Sequence, residues 1–320
     1  MTSPQRLLGV VMDPIESICP AKDSTLAMLL TAQTLGWTLI YLRQSDLFVS
    51  NGLAFGQGLK IQVDDNNTRW YTPEEPWTGP LDELTVLLMR KDPPFDMEYI
   101  YTTYILELAE SRGLMVVNKP SGLREINEKV YTSWFPNCAP MSLITREQSE
   151  LRQFLKAQEK IVLKPLDGMG GRSIFIVALG DANTNVILET LTDNGTRYIL
   201  AQQFIPEISD GDKRIILIDG NPIDYALARI PAPGESRGNL VMGARAEGRK
   251  LNKRDRWICD QVGPTLSRKG IVFAGLDIIG DYLTEINVTS PTGIRELDKE
   301  FGLNIAADFF AAIELRLQGS

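Results

Sequence analysis

From residue 7 to residue 117, short and wholly apolar runs alternate with amphipathic helical patterns, and that order leaves few folds open. "RLLGVVM" reads as a buried strand, because a continuous Val- and Leu-rich run suits a strand covered on both faces. "DSTLAMLLTAQTLG" follows as a helix, with Asp23 or Ser24 as its N-cap and Gly36 as its stop. "WTLIYL" is the next strand. After a polar, Gly- and Pro-bearing stretch from 51 to 80, expected to be irregular, come the strand "LTVLLMR", the helix "DMEYIYTTYILELAESRG" and the strand "LMVVN". In that helix Met97, Ile100, Tyr101, Tyr104, Ile105 and Leu108 recur at helical spacing, which predicts one buried face, and Gly113 ends it. This repetition predicts a doubly wound parallel sheet with ligands at the carboxyl ends of its strands. "MDP" (12–14), "MRKDPPF" (89–95) and "NKPSGLREINEK" (118–129) fall at those ends.

Beyond residue 120 the pattern changes. A helix is expected to carry Lys129, and "SELRQFLKAQ" makes another with Leu151, Phe154 and Leu155 on one stripe. From 160 onward short strands dominate: "KIVLKP", "SIFIVAL", "RYILAQQFI", "KRIILIDG", "PIDYALARI". A helix near 255–269, a strand pair from Val272 to Val288 and an amphipathic helix from about Ala306 follow. The 320 residues suffice for two or three domains with their own cores. A net charge of −8 gives no overall electrostatic attraction to nucleic acid or to an anionic membrane, and no run of 18 apolar residues exists. The N-terminus lacks the basic and apolar regions of a signal peptide. Cys19, Cys138 and Cys259 lie far apart with no C-x-x-C pair, so free thiols in a reducing cytoplasm are expected.

The chain has no histidine. Ser-His-Asp and Cys-His nucleophile systems, His-ligated zinc and imidazole acid–base chemistry are therefore excluded. Carboxylates, Lys, Arg, backbone donors and hard metal ions remain, an inventory suited to phosphoryl transfer. In "KPLDGMGGRSIF" (164–175) a glycine cluster joins two strand-like runs, so its backbone can approach an anion closely. It fits neither the P-loop nor the dinucleotide fingerprint, and a plain glycine turn is the alternative. In "VFAGLDIIGDYLTEINVTSPTGIRE" (272–296) two strands meet at Gly280-Asp281. A loop of three or five residues centred on Asp281 puts Asp277 opposite Glu285, with Asn287 on the same face and Leu276, Ile278, Ile286 and Val288 on the other. A two-residue turn would separate the carboxylates, so the burial pattern favours the odd loop. Two carboxylates and an amide oxygen make a hard-oxygen site for Mg²⁺; a solvated hairpin face is the alternative.

Lys129, Lys164, the glycine loop and these acceptors resemble an ATP-grasp ligase, and more specifically the prokaryotic-type glutathione synthetase family. The resemblance runs nearly end to end, through "VMDP", "LMRKDPPFD", "YTTYILE", "NKPSGLRE", "LKPLDGMGG", "DGDKRI", "LARIP" and "GLDIIGDYLTEINVTSPTGIRE". It implies an α/β fold: an N-terminal doubly wound pre-ATP-grasp domain (1–123), then a two-lobed α+β ATP-grasp domain (129–314, lobes 129–203 and 204–314). It also implies ATP-dependent joining of γ-glutamylcysteine to glycine, with Mg²⁺ or Mn²⁺, in a cytoplasmic homotetramer that engages neither nucleic acid nor membrane.

By the same resemblance Lys129 and Lys164 would neutralise ATP phosphates, with Asp167, Gly168, Gly170 and Gly171 in the loop above them. Gln202, Gln203, Phe204 and Ile205 would hold adenine, with Asp212 also at the nucleotide. Asp277, Glu285 and Asn287 would bind Mg²⁺. Arg214 would face the transferred phosphoryl group and the acyl oxyanion. Arg229, with Arg237 and Arg245 in the segment 231–245, would close over substrate as a lid. In "GARAEG", at the end of that segment and just beyond it, Ala244 and Ala246 stand where family members often have glycine. Arg90, Lys91, Ser290, Thr292, Gly293 and Arg295 would hold substrate carboxylates. Plain ion pairs are the alternative: Arg214 with Asp210 or Asp212, and Arg90 or Lys91 with Asp92 or Asp96. A related ligase with another acid or amine, and a non-catalytic ATP-binding module, are the competing functions.

Overall fold

The computed structural model describes residues 6–168, 170–232 and 245–319. The expected parallel sheet is built from β1 (Leu7–Val11), β2 (Thr38–Leu42), β6 (Val86–Met89) and β7 (Met115–Val117), in the order β2-β1-β6-β7. Helix α1 (Ser24–Thr34) begins at Asp23, whose carboxylate accepts from the Leu26 N–H at 2.6 Å. Helix α2 (Met97–Glu110) begins the same way at Asp96, and α3 (Pro120–Glu125) follows β7.

Two expectations for this region fail, each for a physical reason. The stretch from 51 to 80 is not irregular. With β3 (Leu47–Ser50) it forms β4 (Leu53–Val63) and β5 (Tyr71–Pro80), which extend the sheet antiparallel beyond β2. β5 pairs only with β4, and an edge strand tolerates Pro73, Pro76 and Pro80, whose missing N–H groups would break a central strand. Helix α2 also turns a different face inward from the one expected. Tyr99, Thr102, Thr103, Leu106 and Ala109 are buried, while Met97, Tyr101 and Tyr104 are about half exposed. Thr102 and Thr103 donate their hydroxyls to the carbonyls of Glu98 and Ile100, so both can be buried without an unmet polar group. Counting apolar residues alone misses such positions.

The second sheet is antiparallel, in the order β10-β9-β11-β8, from β8 (Ser142–Thr145), β9 (Lys160–Pro165), β10 (Phe175–Ala178) and β11 (Ile199–Gln203). Helices α4 (Gln148–Gln158) and α5 (Thr184–Thr192) cover it, and Leu151, Leu155, Leu163, Val177, Leu188 and Ile199 make its separate core. Lys129 does not lie in an α-helix; it precedes a single 3₁₀ turn from Val130 to Trp134.

The third sheet runs β14-β13-β12-β15-β16, all antiparallel: β12 (Asp212–Ile218), β13 (Asn221–Ile230), β14 (Arg245–Lys250), β15 (Phe273–Ile279) and β16 (Tyr282–Asn287). Helices α6 (Lys253–Arg268), α7 (Ile294–Phe301) and α8 (Ile305–Gln318) complete this part. Its core is continuous with that of the first sheet: Phe310 of α8 lies 6.0 Å from the Trp37 ring, and Ile216 and Phe273 share a cluster with Leu8 and Leu29. The second sheet therefore packs as its own body, while the first and third share one interior. No helix among the described residues is long and apolar enough to cross a membrane.

The cysteines divide by burial. Cys138 and Cys259 are buried and Cys19 is exposed, all three as free thiols. Burial raises the Cys138 thiol and pushes Cys259 up to about 12. A disulfide-exchange reagent at pH 8 should therefore titrate one fast thiol in the folded protein and three after denaturation. Three fast thiols in the native protein would contradict this packing.

Candidate active site

A cavity of about 410 Å³ lies between the second and third sheets, under the loop that follows β9. Its floor is set by strand register. Asp212 pairs with Arg229 across β12–β13, Arg214 with Asp277 across β12–β15, and Asp277 with Glu285 across β15–β16. Residues opposite one another on neighbouring strands share a face, with Cβ atoms roughly 4.5–5.5 Å apart. The floor thus carries two neighbouring charged rows, Arg229–Asp212 and Arg214–Asp277–Glu285.

The Asp277–Glu285 pairing matches expectation, but the loop does not. Ile279 pairs with Tyr282, so Gly280-Asp281 is a two-residue turn, and a bulge between Asp277 and Ile278 restores the register. Thr284 is the extra residue; it is buried and its hydroxyl donates to the Asp277 carbonyl at 3.1 Å. A bulge supplies the odd residue that was attributed to the loop, and nothing in the local sequence distinguishes the two.

Asp277 is the electrostatic centre. Arg214 grips it with two nitrogens, Nη2 to Oδ2 at 2.9 Å and a shorter Nε contact to Oδ1. Arg229 reaches Oδ2 at 2.9 Å and also pairs with Asp212. Asn287 donates its amide to the same Asp277 oxygen at 3.1 Å. Burial alone would raise the Asp277 carboxyl, yet Arg214 and Arg229 overcome it and hold it well below the usual carboxylate range. Asp212 answers differently: burial outweighs Arg229 and pushes its carboxyl up to about 6, and its buried Oδ1 has no hydrogen-bond partner among the described residues. Arg214 was weighed as a partner of Asp210 or Asp212; the carboxylate it takes is Asp277. Gly275 makes room for this, because a Cβ there would lie 2.7 Å from the Arg214 side chain.

Two lysines reach the cavity: Lys164 from β9 of the second sheet, and Lys129 from the segment before the 3₁₀ turn, where the Glu128 carbonyl accepts from the Ile286 N–H of β16 at 2.8 Å. Lys164 Nζ lies 3.5 Å from Glu285 Oε1. Lys129 Nζ donates to the Gly168 carbonyl at 2.7 Å and pairs with Glu128. Burial disfavours the Lys129 charge, but Glu285 and Glu128 reverse that and raise its pKa. In the loop above, Gly170 and Gly171 have φ of +65° and +76°, a region that favours glycine. Gln202, Gln203, Phe204 and Ile205 form one wall with Val162, Ile174 and Ile176, and Lys160 stacks 3.8 Å above the Phe204 ring.

The expected site residues divide accordingly. Lys129, Lys164, Gly168, Gly170, Gly171, Gln202–Ile205, Asp212, Arg214, Arg229, Asp277, Glu285, Asn287, Ser290 and Thr292 all line this cavity. Asp167 lines a small neighbouring recess instead. Arg90, Lys91, Arg245, Gly293 and Arg295 do not line the cavity. Arg90 is buried and spans from the Thr25 hydroxyl (3.1 Å) to the Pro291 carbonyl (3.0 Å). Lys91 pairs with Asp13 at 2.9 Å, Arg295 with Asp65, and Arg245 with Glu247 at 3.1 Å. Arg237 and Ala244, with most of the expected lid, fall outside the described residues. Sequence reasoning missed Glu128, although a carboxylate next to Lys129 is visible in "NEK". It also missed Val162, Ile174 and Ile176, the apolar part of the wall, which carries no local signal.

Mixed α/β architecture of this kind, with a glycine loop over a charged sheet floor, defines an ATP-grasp ligase. Solved structures agree on the fold: a D-cycloserine synthetase (TM-score 0.66, 15% identity, 97% of this chain and 99% of that one) and D-alanyl-alanine synthetase A from Vibrio cholerae (TM-score 0.61, 11% identity, 99% of each). Residues 7–124 match the prokaryotic glutathione synthetase N-terminal domain, and residues 128–302 match the prokaryotic glutathione synthetase ATP-grasp domain. The chain is 56% identical over 311 residues to the glutathione synthetase of Pseudomonas syringae pv. tomato, covering 97% of this chain and 98% of the relative. It is 54% identical over 309 residues to that of Coxiella burnetii, covering 97% and 96%. The chain belongs to the prokaryotic glutathione synthetase family. Its function is that of a glutathione synthetase, an ATP-dependent carboxylate–amine ligase.

The Asp212 assignment has a pH signature. Its carboxyl rises from 3.8 to about 6, so between those values the folded chain holds a proton that the unfolded chain has released. The stability it contributes is fully present at low pH and is lost as pH rises through that window. Denaturant unfolding without metal should show the parent losing stability relative to Asp212→Asn from pH 4 to pH 6, then running parallel to it above. Parallel curves throughout would place Asp212 in an ordinary environment.

Proposed function

We propose that this cavity joins γ-glutamylcysteine to glycine at the expense of ATP, with the charged floor carrying the chemistry. The single observation behind this reading is the charged floor of two cross-strand rows, Arg229–Asp212 and Arg214–Asp277–Glu285, beneath the glycine loop. ATP is placed with its base against Gln202–Ile205 and its phosphates between the loop and Lys129 and Lys164. The acid's terminal carboxylate oxygen attacks the γ-phosphorus, the bond to the bridging oxygen breaks, and ADP leaves from an acyl phosphate. The deprotonated glycine amine then attacks the acyl carbon; phosphate leaves with the bonding electrons, and the amine's remaining excess proton passes to solvent. Arg214 offsets the oxyanion charge in both steps. No residue forms a covalent bond to substrate, which accords with a chain that has no histidine.

Asp277, Glu285 and Asn287 fit Mg²⁺ or Mn²⁺: two carboxylates and an amide oxygen on one sheet face leave coordination positions for phosphate oxygens and water. Held there, the metal would supply positive charge that offsets the phosphate groups of ATP. Arginine chemistry at Asp277 constrains this, since a metal must compete with Arg214 and Arg229 for the carboxylate. Ser290 and Thr292 are the groups offered to the acid substrate. Arg90 serves them through the Pro291 carbonyl and is not a direct ligand, whereas Arg237 enters on the family resemblance alone. A cytoplasmic homotetramer, divided at 1–123, 129–203 and 204–314, completes the reading.

Phosphate release should require ATP, Mg²⁺, γ-glutamylcysteine and glycine together, with glutathione as the product by mass spectrometry. Glu285→Gln should leave the fold intact and lower kcat by ~10² or more, the scale for removing one preorganised electrostatic group. Tight ATP binding without tripeptide would favour a non-catalytic module. Self-coupling of D-alanine would favour the cousin ligase, and a Glu285→Gln rate within about threefold of the parent would remove the metal assignment.

A further inference from the structure

Asn118 lies in "NKPSGLRE", a stretch at the carboxyl end of β7 that none of the roles above uses. Its side chain is buried and all four of its hydrogen-bonding positions are filled by backbone of the third sheet. Oδ1 accepts from the Val272 and Phe273 N–H groups, each at 2.9 Å. Nδ2 donates to the Phe273 carbonyl at 2.8 Å and to the Val288 carbonyl at 2.6 Å.

The register explains what these contacts do. The last pair of the β15–β16 ladder is Gly275 with Asn287. Continued by two residues, the ladder would place Thr289 opposite Phe273. The carboxamide takes that place, meeting both the N–H and the C=O of Phe273 as a strand would. The chain is thereby free to leave the sheet after Val288, and Thr289, Ser290, Pro291 and Thr292 turn into the cavity lining. The same side chain holds the residue next to Asn287.

We propose that Asn118 is a positioning residue: it ends the β15–β16 hairpin at Val288, and so fixes both the metal-facing Asn287 and the acid-binding loop 289–292. Without the carboxamide, the buried N–H and C=O of Phe273 lose their partners. Their available replacement is Thr289, and that pairing draws the loop out of the cavity. The glycine loop and the wall 202–205 belong to the second sheet and make no contact with Asn118 in the hydrogen-bond network described above. The inference rests on the proposed reading of the site and deepens it.

The test is steady-state kinetics of full-length Asn118→Ala beside the parent. The KM for γ-glutamylcysteine and the Mg²⁺ midpoint should each rise about tenfold or more, the scale of one or two lost buried hydrogen bonds, while the KM for ATP at saturating Mg²⁺ stays within about twofold. A merely structural residue would lower Tm and leave all three constants of the folded enzyme in place. Asn118→Asp keeps the size and both acceptor contacts but loses the donors to Phe273 and Val288. It should show the same selective pattern, and it carries the test if Asn118→Ala does not fold. Constants that all stay within about twofold, or an ATP constant that moves with the others, would overturn the proposal. Failure of the broader reading looks different, since the parent itself would then make no tripeptide.

Discussion

Everything at the site depends on one buried carboxylate. Asp277 sits between Arg214 and Arg229, and the antiparallel register of β13, β12, β15 and β16 places each of these groups opposite another. Taking any one of them out of water alone would cost several kcal/mol, and breaking such a pair by deleting one partner typically costs about 3–5 kcal/mol. They are tolerable together because each meets an opposite charge: Arg214 and Arg229 both hold Asp277, and Arg229 also pairs with Asp212. Lys164 beside Glu285 and Lys129 beside Glu128 extend the principle toward the glycine loop.

That balance also shapes how ligands can enter. The cations suited to phosphate are held by the carboxylates suited to metal. On the proposed reading, a metal at Asp277 would release positive charge toward an anionic substrate, and a phosphate that drew Arg214 or Arg229 away would expose the carboxylate to metal. Binding of the two would then be coupled by linkage, each raising the affinity of the other by the same factor. The packing suits such an exchange. The first and third sheets share a core and hold the charged floor and Lys129, while the second sheet, which brings the glycine loop and Lys164, has a core of its own.

Much of this was legible in the sequence. Continuous apolar runs such as "RLLGVVM" and "LTVLLMR" mark strands buried on both faces, and their alternation with helices indicates the parallel sheet. The pairing of Asp277 with Glu285 followed from the requirement that Leu276 and Ile286 share a core face. What was not legible lies in tertiary context. Prolines in 71–80 read as irregular because an edge strand cannot be told from a loop by composition. Thr102 and Thr103 read as polar because their backbone bonds are invisible in a string of letters. The bulge at Thr284 and the long-range contacts of Arg90, to Pro291 two hundred residues away, have no local signature.

The most direct test of the balanced-charge account is Mg²⁺ affinity without nucleotide, measured by calorimetry on the parent and on Arg229→Gln. If Arg229 competes with metal for Asp277, removing its charge tightens Mg²⁺ binding, by about tenfold for a change of 1.4 kcal/mol. Unchanged or weaker Mg²⁺ binding in the variant would mean that the arginine and the metal do not share the carboxylate, and would contradict the account.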